Sequence, residues 1–313
     1  MPVRRPVGRA VAVAVVGAVA ITAATATQWS RPTRPKPSPA PAATSLTDQV
    51  TGFAAKLTAT MPYRPPTPVE RDRGAAGLRH LLGPGGPDPG LAAARDELGQ
   101  LGFTEGQGTD PATGRPYAIF TSTLGGDRTW GIVLVDASRP VRLVVEVPHP
   151  HSDLLTEDLG VELFQRIPGV LLLMAGAHRR AAGGAADVAH NDDSMFHALA
   201  VEAAGQGVPQ LQVHGYADKN LPDSDVVVST GTDRTVAAAS RAATELRRAG
   251  FVACRGWAQH CGRLEGTTNV QGLASNRINA VFVHLEISYS VRDDAQRRAA
   301  LVDALAAADL PDP

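Results

Sequence analysis

The chain has 313 residues, 43% of them hydrophobic and 19% charged, which is material for one sizeable core in one or at most two domains. Its 30 Lys plus Arg stand against 31 Asp plus Glu, a formal net charge of −1. With no basic excess to displace counterions from a phosphate backbone, nucleic acid is not an expected partner.

The amino terminus reads as an export signal. Arg4, Arg5 and Arg9 precede an uncharged run from Ala10 to Ala26 that ends in Ala24-Thr25-Ala26, the layout of a signal peptide over residues 1–26, with an uncleaved anchor as the alternative. Pro32, Pro35, Pro37, Pro39 and Pro41 then mark residues 27–44 as an extended linker, able to serve as a membrane tether. The expected location is secreted, or anchored on the extracytoplasmic face. Residues 45–313 form the expected single α/β domain.

Within that domain, Thr47–Thr60 reads as a helix, Pro62–Pro68 as a turn, Gly74–Leu82 as a helix, Gly83–Gly90 as a loop and Leu91–Leu101 as a helix. Tyr117–Thr123 and Thr129–Val135 read as hairpin-related strands leading into a buried third, Val141–Val147. Pro209–Tyr216 and Ala280–Ser288 are further strands. The alternation of helices and strands predicts a mixed central sheet flanked by helices.

The third strand stops at Pro148-His149-Pro150-His151-Ser152-Asp153, with Glu157 and Asp158 a turn later. Ligands collect at the carboxyl ends of strands in α/β sheets, and two imidazoles with a carboxylate suit zinc. A solvated polar loop is the bland alternative. The pattern repeats where the next strand ends in His214, which offers a third ligand. In Ala280–Ser288 an internal carboxylate, Glu286, shares one strand face with His284 and Ser288. Desolvation raises the pKa of such a group, so Glu286 is either a general acid/base or half of a buried ion pair. Cys254 and Cys261 read as a disulfide in an oxidising compartment, since His260 alone is too little to complete a zinc site with them. Asn269, in the glycine-bounded stretch Leu264–Gly272, is a substrate donor or a turn residue bonding its own backbone.

In the order of these parts the chain resembles the zinc carboxypeptidase-like hydrolases, a superfamily that includes N-formylglutamate amidohydrolases and phage poly-γ-glutamate hydrolases. The resemblance runs from about Arg128 to Asp293. It implies zinc held by His149, Asp153 and His214, with Glu286 as general base. Gly176-Ala-His-Arg-Arg180 and Asp187-Val-Ala-His-Asn191 resemble the segment that grips a substrate carboxylate, which implies Arg179 and Asn191 as substrate contacts and Arg292 likewise. Ordinary surface salt bridges are the alternative for these arginines. The peptidases carry His-x-x-Glu, whereas Ser152 and Leu154 stand three residues after His149 and His151. The carboxylate position therefore stays open between Asp153 and Glu157, with His151 a further competitor and Asp153 preferred. The implied activity is zinc-dependent hydrolysis of an amide or peptide bond next to a free carboxylate, on a peptide-like or carboxylate-bearing substrate. A non-catalytic ligand- or metal-binding protein on the same fold is the second reading. A serine hydrolase using Ser152, Ser194 or Ser288 ranks last, because no Gly-x-Ser-x-Gly elbow is present.

Overall fold

The computed structural model describes residues 45–310 and a few positions among the first seventeen. The cleavage region and proline-rich linker lie outside the described residues, and the fold is that of the unit beginning at Ala43.

Nine strands form one sheet among the described residues: β1 (Phe103–Thr109), β2 (Pro116–Ser122), β3 (Gly131–Asp136), β4 (Leu143–Val147), β5 (Val170–Ala175), β6 (Gln210–Tyr216), β7 (Val226–Ser229), β8 (Ala253–Arg255) and β9 (Phe282–Ser288). Their order is β1-β2-β3-β5-β4-β6-β9-β7-β8. The central strands β5, β4, β6 and β9 are parallel. On one side β3, β2 and β1 continue antiparallel, and on the other β7 runs antiparallel to β9 and parallel to β8. The expected mixed α/β sheet is the one found.

Alternation along the central strands divides the molecule into two cores. Leu143, Val145 and Val147 of β4, Leu211 and Val213 of β6, and Val283, Leu285 and Ile287 of β9 face one side. There they meet α1 (Leu46–Ala54), α4 (Thr156–Arg166), α6 (Ala237–Arg248) and α9 (Ala295–Ala307). The other face carries α2 (Pro68–Leu81), α3 (Leu91–Gln100) and α5 (Met195–Gly205), with α7 (Val270–Arg277) against α5 and α8 (Tyr289–Asp293) following β9. Local signals start these helices where they are needed. Ser45 accepts the amide of Asp48 at the start of α1, and Thr67 with Glu70 forms a capping box behind Pro68 in α2.

Three expectations need correction. The first helix ends at Ala54, short of Thr60, where the chain tightens into turns: Lys56 N and Leu57 N bond back three residues to Phe53 O and Ala54 O, and Met61 N bonds Thr58 O. The second begins six residues before Gly74, at its capping box. β3 does not lead into β4 as a neighbour, since β5 lies between them. Two features of β3 explain that insertion. Its terminal carboxylate, Asp136, accepts the amide of Gly169 just before β5 at 2.9 Å. Its first residue, Gly131, approaches β5 so closely that a Cβ would lie 2.0 Å from Met174 O. β1 went unread because only Phe103 of its seven residues is buried; it is held as an edge strand by pairing with β2.

Cys254 and Cys261 form the expected disulfide, with Cα atoms 6.0 Å apart. Opening so short a loop is expected to cost about 2.5 kcal/mol in the chain-entropy model, measurable by urea unfolding with and without reductant.

Candidate metal centre

The carboxyl ends of β4, β6 and β9 converge on one side of the sheet. β4 delivers His149, and a tight turn in which Ser152 N and Asp153 N both bond His149 O returns Asp153 to it. Asp153 Oδ2 stands 3.2 Å from His149 Nδ1 and 3.3 Å from Nδ1 of His214 on β6. One ligand atom of each residue lies within 4.8 Å of the others. Glu157 is turned away from this group to accept the amide of His151, at 3.3 Å. His151 itself sits in the left-handed region, at φ 59°.

The remaining ring nitrogens are already engaged. His149 Nε2 is 2.8 Å from Asp187 Oδ1, and His214 Nε2 is 2.7 Å from Gln212 Oε1. Both acceptors can hold a proton on Nε2, so that an ion displacing the protons between Nδ1 and Asp153 would meet both Nδ1 lone pairs, the way a protein orients metal-ligating imidazoles. Burial pushes His214 down to about 4, so it is neutral at physiological pH. Burial works to raise Asp153, but its hydrogen bonds to the two histidines prevail and hold it ionised, well below the usual carboxylate range. Burial works to lower His149 as well, but its hydrogen bonds to Asp153 and Asp187 prevail and raise it, so an ion would displace a proton there; two imidazoles and one carboxylate are then the donor set of a catalytic zinc with an open position. The residues fit that ion.

Glu286 on β9 lies in register with His214. Burial, with Asp153 nearby, pushes it up to about 8, and its Oε2 is enclosed without a hydrogen-bond partner. His284, two residues earlier, packs its ring at 4.8 Å from that of His214, tilted by 39°, and bonds Ser229 Oγ at 3.2 Å through Nδ1. These groups, with Arg179, His190, Arg263 and the 266–269 loop, line a cleft of about 180 Å³.

The residues expected to bind substrate are placed differently from one another. Arg179 lines the cleft, with Nη2 on Asp187 at 2.8 Å and Nη1 3.8 Å from Asp153. Asn191 donates to Gly184 O and Ala185 O at 3.0 and 3.2 Å and so holds its own loop. Asn269 lines the cleft, but its oxygen caps α7 by accepting Gly272 N and its amide donates to Gln212. Arg292 is 3% exposed and binds three carbonyls, those of Leu154, Tyr216 and Ile287, which fastens the ends of β6 and β9 and the loop after β4 together. Gly215 makes room for it, since a Cβ there would lie 2.2 Å from Arg292 Cζ. Gly215→Ala is expected to cost about 1–3 kcal/mol and to lower zinc retention, read from urea midpoints and metal content after dialysis.

Asp187 and Gln212, which brace the two imidazoles, are not singled out by the sequence. For Gln212 a signal existed, because Gln210, Gln212 and His214 put a polar residue at every second place of an otherwise apolar strand. Gln212 also donates to Glu146 Oε2 at 2.8 Å, beneath the site. The serines of the third reading are occupied elsewhere: Ser152 accepts Arg179 N, Ser194 caps α5 and Ser288 bonds Ser290.

No family model matches the chain, and no curated protein does. Among solved structures it is similar to YndL in a zinc-free form (19% identity, 56% of this chain and 87% of that one, TM-score 0.39). It is also similar to a bacteriophage poly-gamma-glutamate hydrolase (16%, 56% and 86%, 0.38) and a metallo-carboxypeptidase from Burkholderia cenocepacia (14%, 72% and 68%, 0.35). A poly-gamma-glutamate hydrolase and a carboxypeptidase are thus among the structures it is similar to. At these identities and scores the likeness brings no chemistry with it, which this chain's own residues have to supply.

Proposed function

We propose that the chain is an exported, zinc-dependent hydrolase that cleaves an amide or peptide bond beside a free carboxylate. The observation that carries this reading is the pairing of an oriented His149/Asp153/His214 donor set with an unpartnered carboxylate, Glu286, on the adjoining strand. Support for export is the signal-like layout of residues 1–26 and the Cys254–Cys261 disulfide, a bond that persists in oxidising compartments.

Zinc held by His149, Asp153 and His214 would supply Lewis acidity toward water and toward the scissile carbonyl. Glu286 Oε2, free of other partners, takes the proton of the attacking water and hands it to the departing amine. Arg179, fixed by Asp187, keeps positive charge beside the ligands where negative charge develops on the carbonyl oxygen. Asp187 and Gln212 hold the two imidazoles in one orientation, so little reorganisation accompanies the reaction.

The test is metal content of the full-length protein after loading with zinc and dialysis. Wild type is expected to retain close to one zinc per chain, and His149→Ala and His214→Ala, still folded by circular dichroism, to retain almost none. A wild-type chain that cannot be loaded overturns the proposal.

A further inference from the structure

The cleft of about 180 Å³ is smaller than the ~300–1,000 Å³ of pockets that enclose a drug-sized ligand, but it does not stand alone. A second cavity, of about 680 Å³, shares Arg263, Thr267 and Thr268 with it. Beyond those three the larger cavity is lined by residues of the β7–α6 loop, among them Asp233, and of the disulfide loop, among them Gln259 and His260. The short segment 263–268 is thus the sill between the two.

Arg263 occupies this sill with its charge uncommitted. Of the two arginines lining the cleft, Arg179 is bound to Asp187, whereas Arg263 makes no ion pair or side-chain hydrogen bond among the described residues. Its position is nonetheless built. It follows the disulfide residue Cys261 directly after Gly262, and its backbone takes φ 68°, a region uncommon for non-glycine residues. Leu264 N bonds Cys261 O, Ser229 Oγ bonds Glu265 O, and Glu265 pairs with His260 at 3.0 Å. An exposed guanidinium is therefore held on a braced loop at the mouth of the cleft that carries Glu286.

Resting on the hydrolase reading of that cleft, the geometry points to the larger cavity as a second substrate subsite. It takes the continuation of a peptide-like chain, with Arg263 binding a carboxylate on the residue that crosses the sill. Guanidinium is the side chain best shaped for bidentate carboxylate recognition. Asp233 and Glu265 in the same cavity oppose a run of negative charge. The chain it selects carries an isolated carboxylate near the cleaved bond and neutral residues beyond it.

The test uses full-length, zinc-loaded Glu286→Gln, so that bound peptide is not consumed, and isothermal titration calorimetry. The probes are acetyl-Ala-Ala-Ala-Glu-Ala-Ala-amide, the same peptide with Gln for Glu, hexaglutamate, and acetyl-glutamate methylamide. The Glu hexapeptide is expected to bind at least tenfold more tightly than its Gln counterpart and than the methylamide, and hexaglutamate no more tightly than the hexapeptide. Adding Arg263→Ala removes the preference for Glu over Gln and keeps the preference for length, while Arg263→Lys restores part of the former. Equal binding of the Glu and Gln peptides, a preference that survives Arg263→Ala, absence of a length effect, or no binding of any probe overturns the subsite. Turnover by the wild-type enzyme is read separately. A chain that binds with this Arg263 dependence and hydrolyses nothing supports the subsite and overturns the hydrolase reading.

Discussion

Replacing Glu286 with Gln is expected to lower amide hydrolysis by about 10²–10⁴-fold while leaving zinc content at the wild-type value. The two halves of that expectation have separate physical grounds. Loss of rate follows because Gln has the shape of Glu but cannot accept a proton at the position where Oε2 is enclosed without a partner. Retention of zinc follows because the ligand group of His149, Asp153 and His214 is complete without Glu286. A second cluster of His214, His284 and Glu286 exists, and the variant decides between the two. Zinc lost together with activity would make Glu286 a ligand, and activity within threefold of wild type would place the proton acceptor elsewhere.

Replacing Glu146 with Gln is expected to stabilise the protein at pH 8 by about 2–5 kcal/mol and to change it by less than about 1 kcal/mol at pH 5. Glu146 is fully buried on β4; burial pushes its carboxyl up to about 8, and a hydrogen bond from Gln212 opposes that only in part. The ordinary value for an unfolded chain is about 4.3. Between roughly pH 4.3 and 8 the folded chain therefore keeps a proton that the unfolded chain has released, and stability falls as the pH rises through this window. Gln stays neutral throughout and keeps an oxygen for the Gln212 amide. Urea unfolding of both proteins at pH 5 and pH 8 measures the difference, and parallel stability curves would show that Glu146 ionises freely in the fold.

The candidate site was legible wherever chemistry coincided with a strand end. His149, His214 and Glu286 each sit at or beside the carboxyl end of an apolar run, and alternation alone put Glu286 on one face with His284. Spacing could not choose between Asp153 and Glu157, because the choice depends on a turn that folds Asp153 back onto His149 and points Glu157 at a backbone amide. Nor could it separate the arginines. Arg179, Arg263 and Arg292 are chemically identical, and only three-dimensional neighbours show one bound to a carboxylate, one free and one consumed by three carbonyls. In the fold, the runs of β2, β3, β4, β6 and β9 read as strands, whereas β5 and β7, short and almost wholly apolar, carry no alternation to mark them as strands, and β1 was hidden by an exposed, glycine-bearing sequence.

The order of the chain also sets the order in which the site is assembled. His149, Asp153 and His214 emerge more than sixty residues before β9, while Glu286 and the clamp Arg292 arrive on its last strand and the helix that follows. A nascent chain stopped short of Phe282 already holds the three candidate ligand side chains and lacks both Glu286 and the Arg292 fastening. On the proposed hydrolase reading, synthesis supplies the ligand side chains first and the proton acceptor with its fastening last, so the two halves of the chemistry come together only when β9 is complete.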